Sequence, residues 1–201
     1  MPETRCAAVI LAAGASTRLG QAKQLIHASG ESLLRRTAHL ALEAGCAPVV
    51  VVLGFEAERM ATELTGLGVE AVVNPEWREG MGASLRCGVE AASRSERTRA
   101  KPDNFLLLVC DQPRLTTEHL RELLARHATG QMAITASQYA GRAGVPAVLA
   151  AALVPELLAC AGDQGARDVI RRDAARVQAV AWPEGAVDVD RPEDLQALSG
   201  S

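Results

Sequence analysis

The sequence predicts an α/β fold of the three-layer, Rossmann-like kind, in which a mostly parallel sheet carries helices on both faces. Short apolar runs alternate with segments whose apolar residues recur at helical spacing, which is the pattern of successive βαβ units. The runs are continuous in Val, Ile and Leu, as is typical of strands that are covered on both sides. The chain has 201 residues, of which 48% are hydrophobic, so it is long enough to form a single domain, 1–201, around a buried core.

In the first half of the chain, four apolar runs predict strands and the segments between them predict helices. The first strand is the run of eight apolar residues at 6–13, and the second is the Val-rich run at 48–53. A helix is predicted at 32–45, where apolar residues recur at helical spacing and Gly45 provides a stop. The same reasoning predicts a helix at 56–65, a strand at 69–73, a helix at 83–93 and a strand at 105–110.

The second half continues this alternation. Thr116 and Thr117 are candidate N-caps of a helix at 116–127, and Pro192 fits the first turn of a short final helix at 192–198. Between them we expect strands at 132–136 and 145–149, helices at 151–160 and 165–173, and strands at 177–182 and 187–189.

Composition argues against several classes of function. Lys and Arg total 21 against 24 Asp and Glu, and aromatic residues are 2%, so the chain does not resemble a nucleic-acid binder. It contains no run of about 18 apolar residues that would span a membrane. The five cysteines form no C-x-x-C pair, which argues against a zinc site or a disulfide framework. We therefore expect a reduced, cytoplasmic protein, with its four histidines on the surface.

The segment after the predicted first strand combines small residues with positive charge. From Ala12 to Lys23 it reads AAGASTRLGQAK. Small residues let backbone N–H groups approach an anion, and Arg18 and Lys23 add positive charge. The spacing matches neither a Walker A loop nor G-x-G-x-x-G, and the second mismatch counts against an oxidoreductase of the Rossmann type. The spacing alone fits a phosphate-binding loop and a plain glycine turn equally well.

Segments in a fixed order resemble the MobA-like nucleotidyltransferases, and within them the molybdenum cofactor cytidylyltransferases. They are LAAGASTRLGQAK at 11–23, NPEWREGMGASL at 74–85, CDQP at 110–113, GVP at 144–146, GDQGAR at 162–167 and DVDRPED at 188–194. The resemblance implies that the first loop wraps the triphosphate of an NTP, while Gly80, Gly82 and Ser84 contact the nucleobase. The implied loop contacts are Leu11, Ala12, Ala13, Gly14, Ser16 and Lys23, with Arg18 and Lys23 neutralising the phosphates.

Carboxylates at two predicted strand ends are the candidate metal ligands. Asp111 ends an apolar strand, and alternation puts Asp188 and Asp190 on one face of a later one. Mg²⁺ prefers carboxylate and phosphate oxygens. The resemblance implies that Asp111 and Asp190 bind Mg²⁺ with Asp188 assisting, and that Arg18, Lys23 and Asp111 are catalytic. Taken by themselves, these aspartates also fit a turn and a helix cap.

The resemblance places NTP binding in the N-terminal half and acceptor binding in the C-terminal half, at Gly144, Pro146 and Arg167. It implies transfer of CMP from CTP to the phosphate of molybdopterin, with the product passing to a molybdoenzyme or its chaperone. Val145 replaces the family's more usual His, which leaves open a sugar-phosphate or alditol-phosphate acceptor. The alanine-rich loop form resembles cytidylyltransferases, and a guanylyltransferase and a non-catalytic cofactor-binding chaperone remain as alternatives.

Overall fold

The computed structural model describes residues 5–16, 20–28, 30–98 and 100–188. The strands are β1 Cys6–Leu11, β2 His27–Ala28, β3 Glu31–Ser32, β4 Val49–Leu53, β5 Glu70–Val73, β6 Asn104–Val109, β7 Ile134–Tyr139, β8 Arg142–Ala150 and β9 Val177–Ala181. The α-helices are α1 Leu33–Glu43, α2 Ala57–Glu63, α3 Met81–Arg94, α4 Thr117–Thr129, α5 Val154–Leu158 and α6 Ala166–Arg172. Short 3₁₀ turns occupy Lys23–Leu25, Trp77–Glu79, Ala151–Leu153, Ala174–Arg176 and Pro183–Ala186.

Seven strands form one mostly parallel sheet in the order β5-β4-β1-β6-β8-β7-β9. Strand β1 pairs in parallel with β4 and β6, and β4 pairs in parallel with β5. Strand β8 runs antiparallel to β6 and β7, whereas β9 is parallel to β7. The short strands β2 and β3 form a separate antiparallel pair. This topology confirms the predicted fold class.

Helices cover both faces of the sheet because successive side chains of each strand point to opposite sides. In β1, Ala8 and Ile10 belong to the core that packs against α1, α2 and α4. Ala7 and Val9 belong to the core on the other side, which receives α3, α5 and α6. No helix in the described part of the chain is long and apolar enough to cross a membrane.

Several predicted boundaries differ from the structure. Strand β1 ends at Leu11 rather than at residue 13, and β7 and β8 extend toward each other into a hairpin. Its turn is made by Ala140 and Gly141, whose φ angles are 47° and 72°, and a two-residue turn with positive φ suits the twist of a hairpin. The helix predicted at 151–160 becomes a 3₁₀ turn followed by α5.

The prediction for the end of the chain is wrong where the structure describes it. A 3₁₀ turn occupies Pro183–Ala186, and the two residues after it are not in a strand. Residue 189 and the helix predicted at 192–198 lie outside the described residues. Arg18 and Asp190 lie outside them too.

Two of the four histidines are buried, contrary to the prediction. His127 makes hydrogen bonds with Oγ1 of Thr135 at 3.1 Å and Oδ1 of Asn104 at 3.0 Å. His119 Nε2 bonds to the hydroxyl of Ser137 at 2.7 Å. Both rings lie on the side of α4 that faces the sheet, and burial lowers the pKa of each. Polar partners on the buried face of the sheet make these positions tolerable for histidine.

Candidate active site

A cavity of about 750 Å³ opens at the carboxyl ends of the central strands. After β1 the chain goes to β4 on one side, and it later returns to β6 on the other. Such a switch in direction leaves a crevice, which is where α/β sheets bind ligands. The cavity is lined by Leu11, Ala13, Gly14, Ala15, Ser16, Lys23, Gln24, Trp77, Arg78, Gly80, Met81, Ser84, Val109, Cys110, Asp111 and Asp163. Most of the residues expected to bind the nucleotide therefore lie around one space.

The side chain of Gln24, which was not among the predicted site residues, supports the loop after β1 through hydrogen bonds. Only 2% of Gln24 is exposed, and its side-chain amide donates to the carbonyl oxygens of Ala12 at 3.0 Å and Gly14 at 2.8 Å. The hydroxyl of Ser16 accepts from the backbone N–H of Lys23 at 3.3 Å. These bonds fix the loop conformation without using its exposed N–H groups. The sequence shows only that Gln24 directly follows Lys23, and this position gives no indication that the Gln24 side chain is buried.

Lys23 and Asp111 meet inside the cavity. The Lys23 Nζ lies 2.5 Å from Oδ2 of Asp111, and about a fifth of each side chain is exposed, 21% and 19%. The two residues are 88 positions apart, and they converge because β1 and β6 are parallel neighbours. The thiol of Cys110 is inert beside them, since burial, helped by the charge of Asp111, raises its pKa to about 12.

The first turn of α3 forms another wall. Asn74 follows β5 and is 2% exposed, and its amide nitrogen donates to the Ser84 hydroxyl at 3.1 Å. Gly80 is the N-cap of the 14-residue helix, with a φ angle of 111°. Trp77 packs edge-on against Phe55, and the guanidinium of Arg78 lies 4.3 Å from the centre of its ring.

The loop between α5 and α6 packs directly onto this turn. The backbone N–H of Gly82 donates to the carbonyl of Gly162 at 2.9 Å. A Cβ on Gly82 would lie 2.8 Å from the backbone nitrogen of Ala161, and one on Gly80 would lie 2.3 Å from the oxygen of Gly162. Both glycines are therefore required for this close approach. Gly82 contacts the loop and does not line the cavity, and Ala12 is buried in the core.

Two of the three expected acceptor residues, Gly144 and Arg167, lie near the hydroxyl of Tyr139, outside the cavity lining. That hydroxyl donates to the carbonyl of Val145 at 2.8 Å, and a Cβ on Gly144 would lie 2.9 Å from it. Burial raises the pKa of Tyr139; the nearby charge of Arg167 opposes this shift, and that of Asp188 adds to it. Gly144, Arg167 and Asp188 thus lie close to the Tyr139 hydroxyl.

Gln112 connects the two regions. It follows Asp111 and is 4% exposed, and its amide nitrogen donates to the Tyr139 hydroxyl at 3.3 Å and to the carbonyl of Val145 at 3.0 Å. Pro146 is buried, and its carbonyl accepts from Ser137 at 2.8 Å. Pro146 is a buried residue of β8 and does not line the cavity.

A cavity of this size at the switch point of a doubly wound sheet is the arrangement of nucleotide-binding α/β proteins. The model of the MobA-like NTP transferase domain matches residues 8–178, and the chain belongs to this family. Nicotine blue oxidoreductase of Paenarthrobacter nicotinovorans is 32% identical over 199 residues, 94% of each chain. The purine catabolism protein PucB of Bacillus subtilis is 28% identical over 202 residues, again 94% of each. The crystal structure of Rv0371c from Mycobacterium tuberculosis superposes with a TM-score of 0.79 at 28% identity, covering 98% of this chain and 99% of that one.

Proposed function

We propose that the protein transfers CMP from CTP to the phosphate of molybdopterin and releases pyrophosphate. The observation that carries this proposal is the meeting of Lys23 and Asp111 in the cavity. In the cavity, Lys23 provides a cation suited to a triphosphate, and Asp111 beside it provides a carboxylate suited to Mg²⁺. Membership in a family of NTP transferases supports the reaction class. The Ala12-Ala13-Gly14 form of the loop supports cytosine, because an alanine leaves less room near the base than a glycine.

The donor set fits Mg²⁺ as it is bound in nucleotide sites. Within the described ranges, no group of three or more His, Cys, Asp or Glu side chains forms a metal-binding cage. Mg²⁺ is usually held by one or two carboxylates together with phosphate oxygens of the substrate. Asp111 provides one such carboxylate in the cavity. We assign Asp190 as the second ligand from the family resemblance, with Asp188 assisting.

The residues of the chain supply position and charge rather than covalent chemistry. The backbone N–H groups of 14–16 and the Nζ of Lys23 bind the triphosphate, aided by Arg18. When the nucleotide enters, Lys23 turns from Asp111 to the phosphate oxygens, which leaves the Asp111 carboxylate able to hold Mg²⁺. Held there, Mg²⁺ would offset the charge that develops on the leaving pyrophosphate.

The transfer itself is a single displacement at phosphorus. An oxygen of the acceptor phosphate forms a bond to the α-phosphorus, and the bond from that phosphorus to the bridging oxygen of the β-phosphate breaks. The acceptor phosphate is already an anion near neutral pH, so the attack needs no general base. No histidine is among the described residues that line the cavity.

We assign the acceptor to the surroundings of Tyr139, with Arg167 as the cation for its phosphate and Gly144 providing room. Asp163 belongs to the C-terminal half of the chain, yet it lines the nucleotide cavity. We therefore propose one functional unit, 1–201, whose halves both contribute to the nucleotide site. The free thiols of all five cysteines support a reducing, cytoplasmic location.

The test is label transfer from CTP carrying a labelled α-phosphate. With Mg²⁺ and molybdopterin we expect labelled cytosine dinucleotide and one equivalent of pyrophosphate, and neither product without the acceptor. Sugar phosphates, alditol phosphates and GTP form parallel arms for the alternatives within the family. Binding of CTP and molybdopterin without turnover would instead support the non-catalytic chaperone.

An oxidoreductase is a second candidate because a relative that matches 94% of this chain carries that name. The same preparation is therefore mixed with NADH or NADPH and nicotine blue in the absence of CTP. Dye-dependent oxidation of the reduced nicotinamide, together with no pyrophosphate release in the first assay, would replace the transferase proposal with this one.

A further inference from the structure

Asp163 is a carboxylate in the cavity that the proposed chemistry does not use. It lies in the loop between α5 and α6 and lines the cavity near the first turn of α3. Its Oδ1 lies 2.9 Å from where a Cβ on Gly80 would stand. Within the described part of the chain its side chain has neither a hydrogen bond nor an ion pair. It therefore presents accepting oxygens to whatever occupies this side of the cavity.

A hydroxyl donor stands in the same wall. Ser84 is 5% exposed and lines the cavity, and its oxygen accepts from the side-chain amide of Asn74 at 3.1 Å. Because that bond uses the oxygen as an acceptor, the hydroxyl hydrogen is left to donate toward the cavity. The α3 side of the cavity thus combines one donor, Ser84, with one acceptor, Asp163. A nucleobase edge that places an acceptor beside an amine matches this pair.

We infer that Asp163 selects the nucleobase by accepting a hydrogen bond from its exocyclic amine, which for CTP is the 4-amino group. This inference rests on the proposed nucleotidyl transfer. A carboxylate accepts but does not donate, so it repels the 4-carbonyl oxygen of uracil. The N3–H of uracil is a poor substitute because carbonyl oxygens flank it on both sides. Ser84 donates to the ring nitrogen of cytosine, which in uracil is itself a donor.

The close packing of the loop explains how Asp163 is held in position. The bond from the Gly82 N–H to Gly162 spans 2.9 Å and fixes the residue immediately before Asp163. Gly165 also packs against Met81, since a Cβ there would lie 2.4 Å from the Met81 sulfur. A polar group on a loop fixed from both sides can discriminate between ligands without large rearrangement.

The test compares nucleotide affinities of the wild type and of Asp163→Asn by calorimetric titration with Mg²⁺ complexes of CTP, UTP and dCTP. The wild type is expected to bind CTP at least about tenfold more tightly than UTP, because uracil turns a carbonyl oxygen toward the Asp163 carboxylate and an N–H donor toward the buried Ser84 hydroxyl. In Asp163→Asn the amide donates to the 4-carbonyl as well, so the CTP-to-UTP ratio should fall by about tenfold or more. Glu96→Gln, which removes an exposed carboxylate outside the cavity, is the matched control and should leave the ratio unchanged.

Each other outcome overturns a distinct part of the argument. If no nucleotide binds to the wild type, the proposed function itself fails. If the wild type binds CTP and UTP equally, or if the ratio in Asp163→Asn stays as in the wild type, base selection by Asp163 is refuted. A change confined to the CTP-to-dCTP ratio would show that Asp163 binds the ribose instead. An equal loss for all three nucleotides with a lower melting temperature would show a purely structural role.

Discussion

Replacing Gly82 by alanine tests whether the loop between α5 and α6 must pack against α3 for the nucleotide site to form. The added Cβ would lie 2.8 Å from the backbone nitrogen of Ala161 and 2.9 Å from its Cα. The first distance is about 0.6 Å less than the 3.4 Å at which ordinary contact begins. Backbone atoms cannot rotate away as a side chain can, so the loop has to retreat.

The expected cost of Gly82→Ala is about 1–3 kcal/mol of unfolding free energy, the usual cost of overpacking a tight contact. The loop carries Asp163, and a displacement near 1 Å at a binding site can reduce activity by about 100-fold. We therefore expect a fall of about 10- to 100-fold in the kcat/KM for CTP. Urea unfolding measures the first effect, and pyrophosphate release measures the second.

Gly68→Ala is the matched control for this substitution. The nearest atom to a Cβ on Gly68 is Cδ2 of Leu42 at 4.0 Å, so the new methyl group fits. This variant should change stability by less than about 1 kcal/mol, through the unfolded state alone, and leave CTP turnover unaltered. The packing argument fails if Gly82→Ala behaves like Gly68→Ala in both assays.

Three further predictions concern charge and protonation. Lys23→Met should raise the KM for CTP and lower kcat/KM by about 100-fold or more in the pyrophosphate assay, because the triphosphate of CTP loses the cation that neutralises it in the cavity. A normal KM would contradict this prediction. Asp111→Asn should abolish Mg²⁺-dependent turnover while circular dichroism shows an intact fold, and full activity would remove Asp111 from the site. Stability should fall below pH 6.5, because the lowered pKa values of buried His119 and His127 leave the unfolded state binding more protons. Each histidine adds a slope of at most about 1.4 kcal/mol per pH unit, and His127→Gln should flatten the profile in urea titrations between pH 5 and 7.

The sequence was sufficient to predict the mostly parallel sheet, and it placed Lys23 and Asp111 after two of its strands. Continuous apolar runs indicate strands buried on both faces, and the carboxyl ends of parallel neighbours lie at one edge. The structure then shows that β1 and β6 are parallel neighbours, which brings Lys23 and Asp111 together although they are 88 positions apart. The motifs added the resemblance to the MobA-like nucleotidyltransferases, and the match of the family model to residues 8–178 confirms that family.

Features that depend on contacts between distant segments were not predictable in this way. The packing of Gly82 on Ala161 joins elements about 80 residues apart, and nothing in either local pattern indicates it. A glycine before a helix is typical of any turn, so the segment at 162–167 gave no sign that Asp163 enters the nucleotide cavity. The helical period of α4 determines on which face His127 lies. The polar partners that allow its burial, Asn104 and Thr135, come from β6 and β7, and the pattern of α4 does not reveal them.

The most direct test of the central claim is the affinity for CTP with and without Mg²⁺, measured by titration calorimetry in the wild type, Asp111→Asn and Lys23→Met. We predict that Mg²⁺ strengthens CTP binding in the wild type, that Asp111→Asn binds CTP but gains nothing from Mg²⁺, and that Lys23→Met binds CTP weakly under both conditions. If both variants bind CTP with Mg²⁺ as tightly as the wild type does, the triphosphate and its metal do not lie between Lys23 and Asp111.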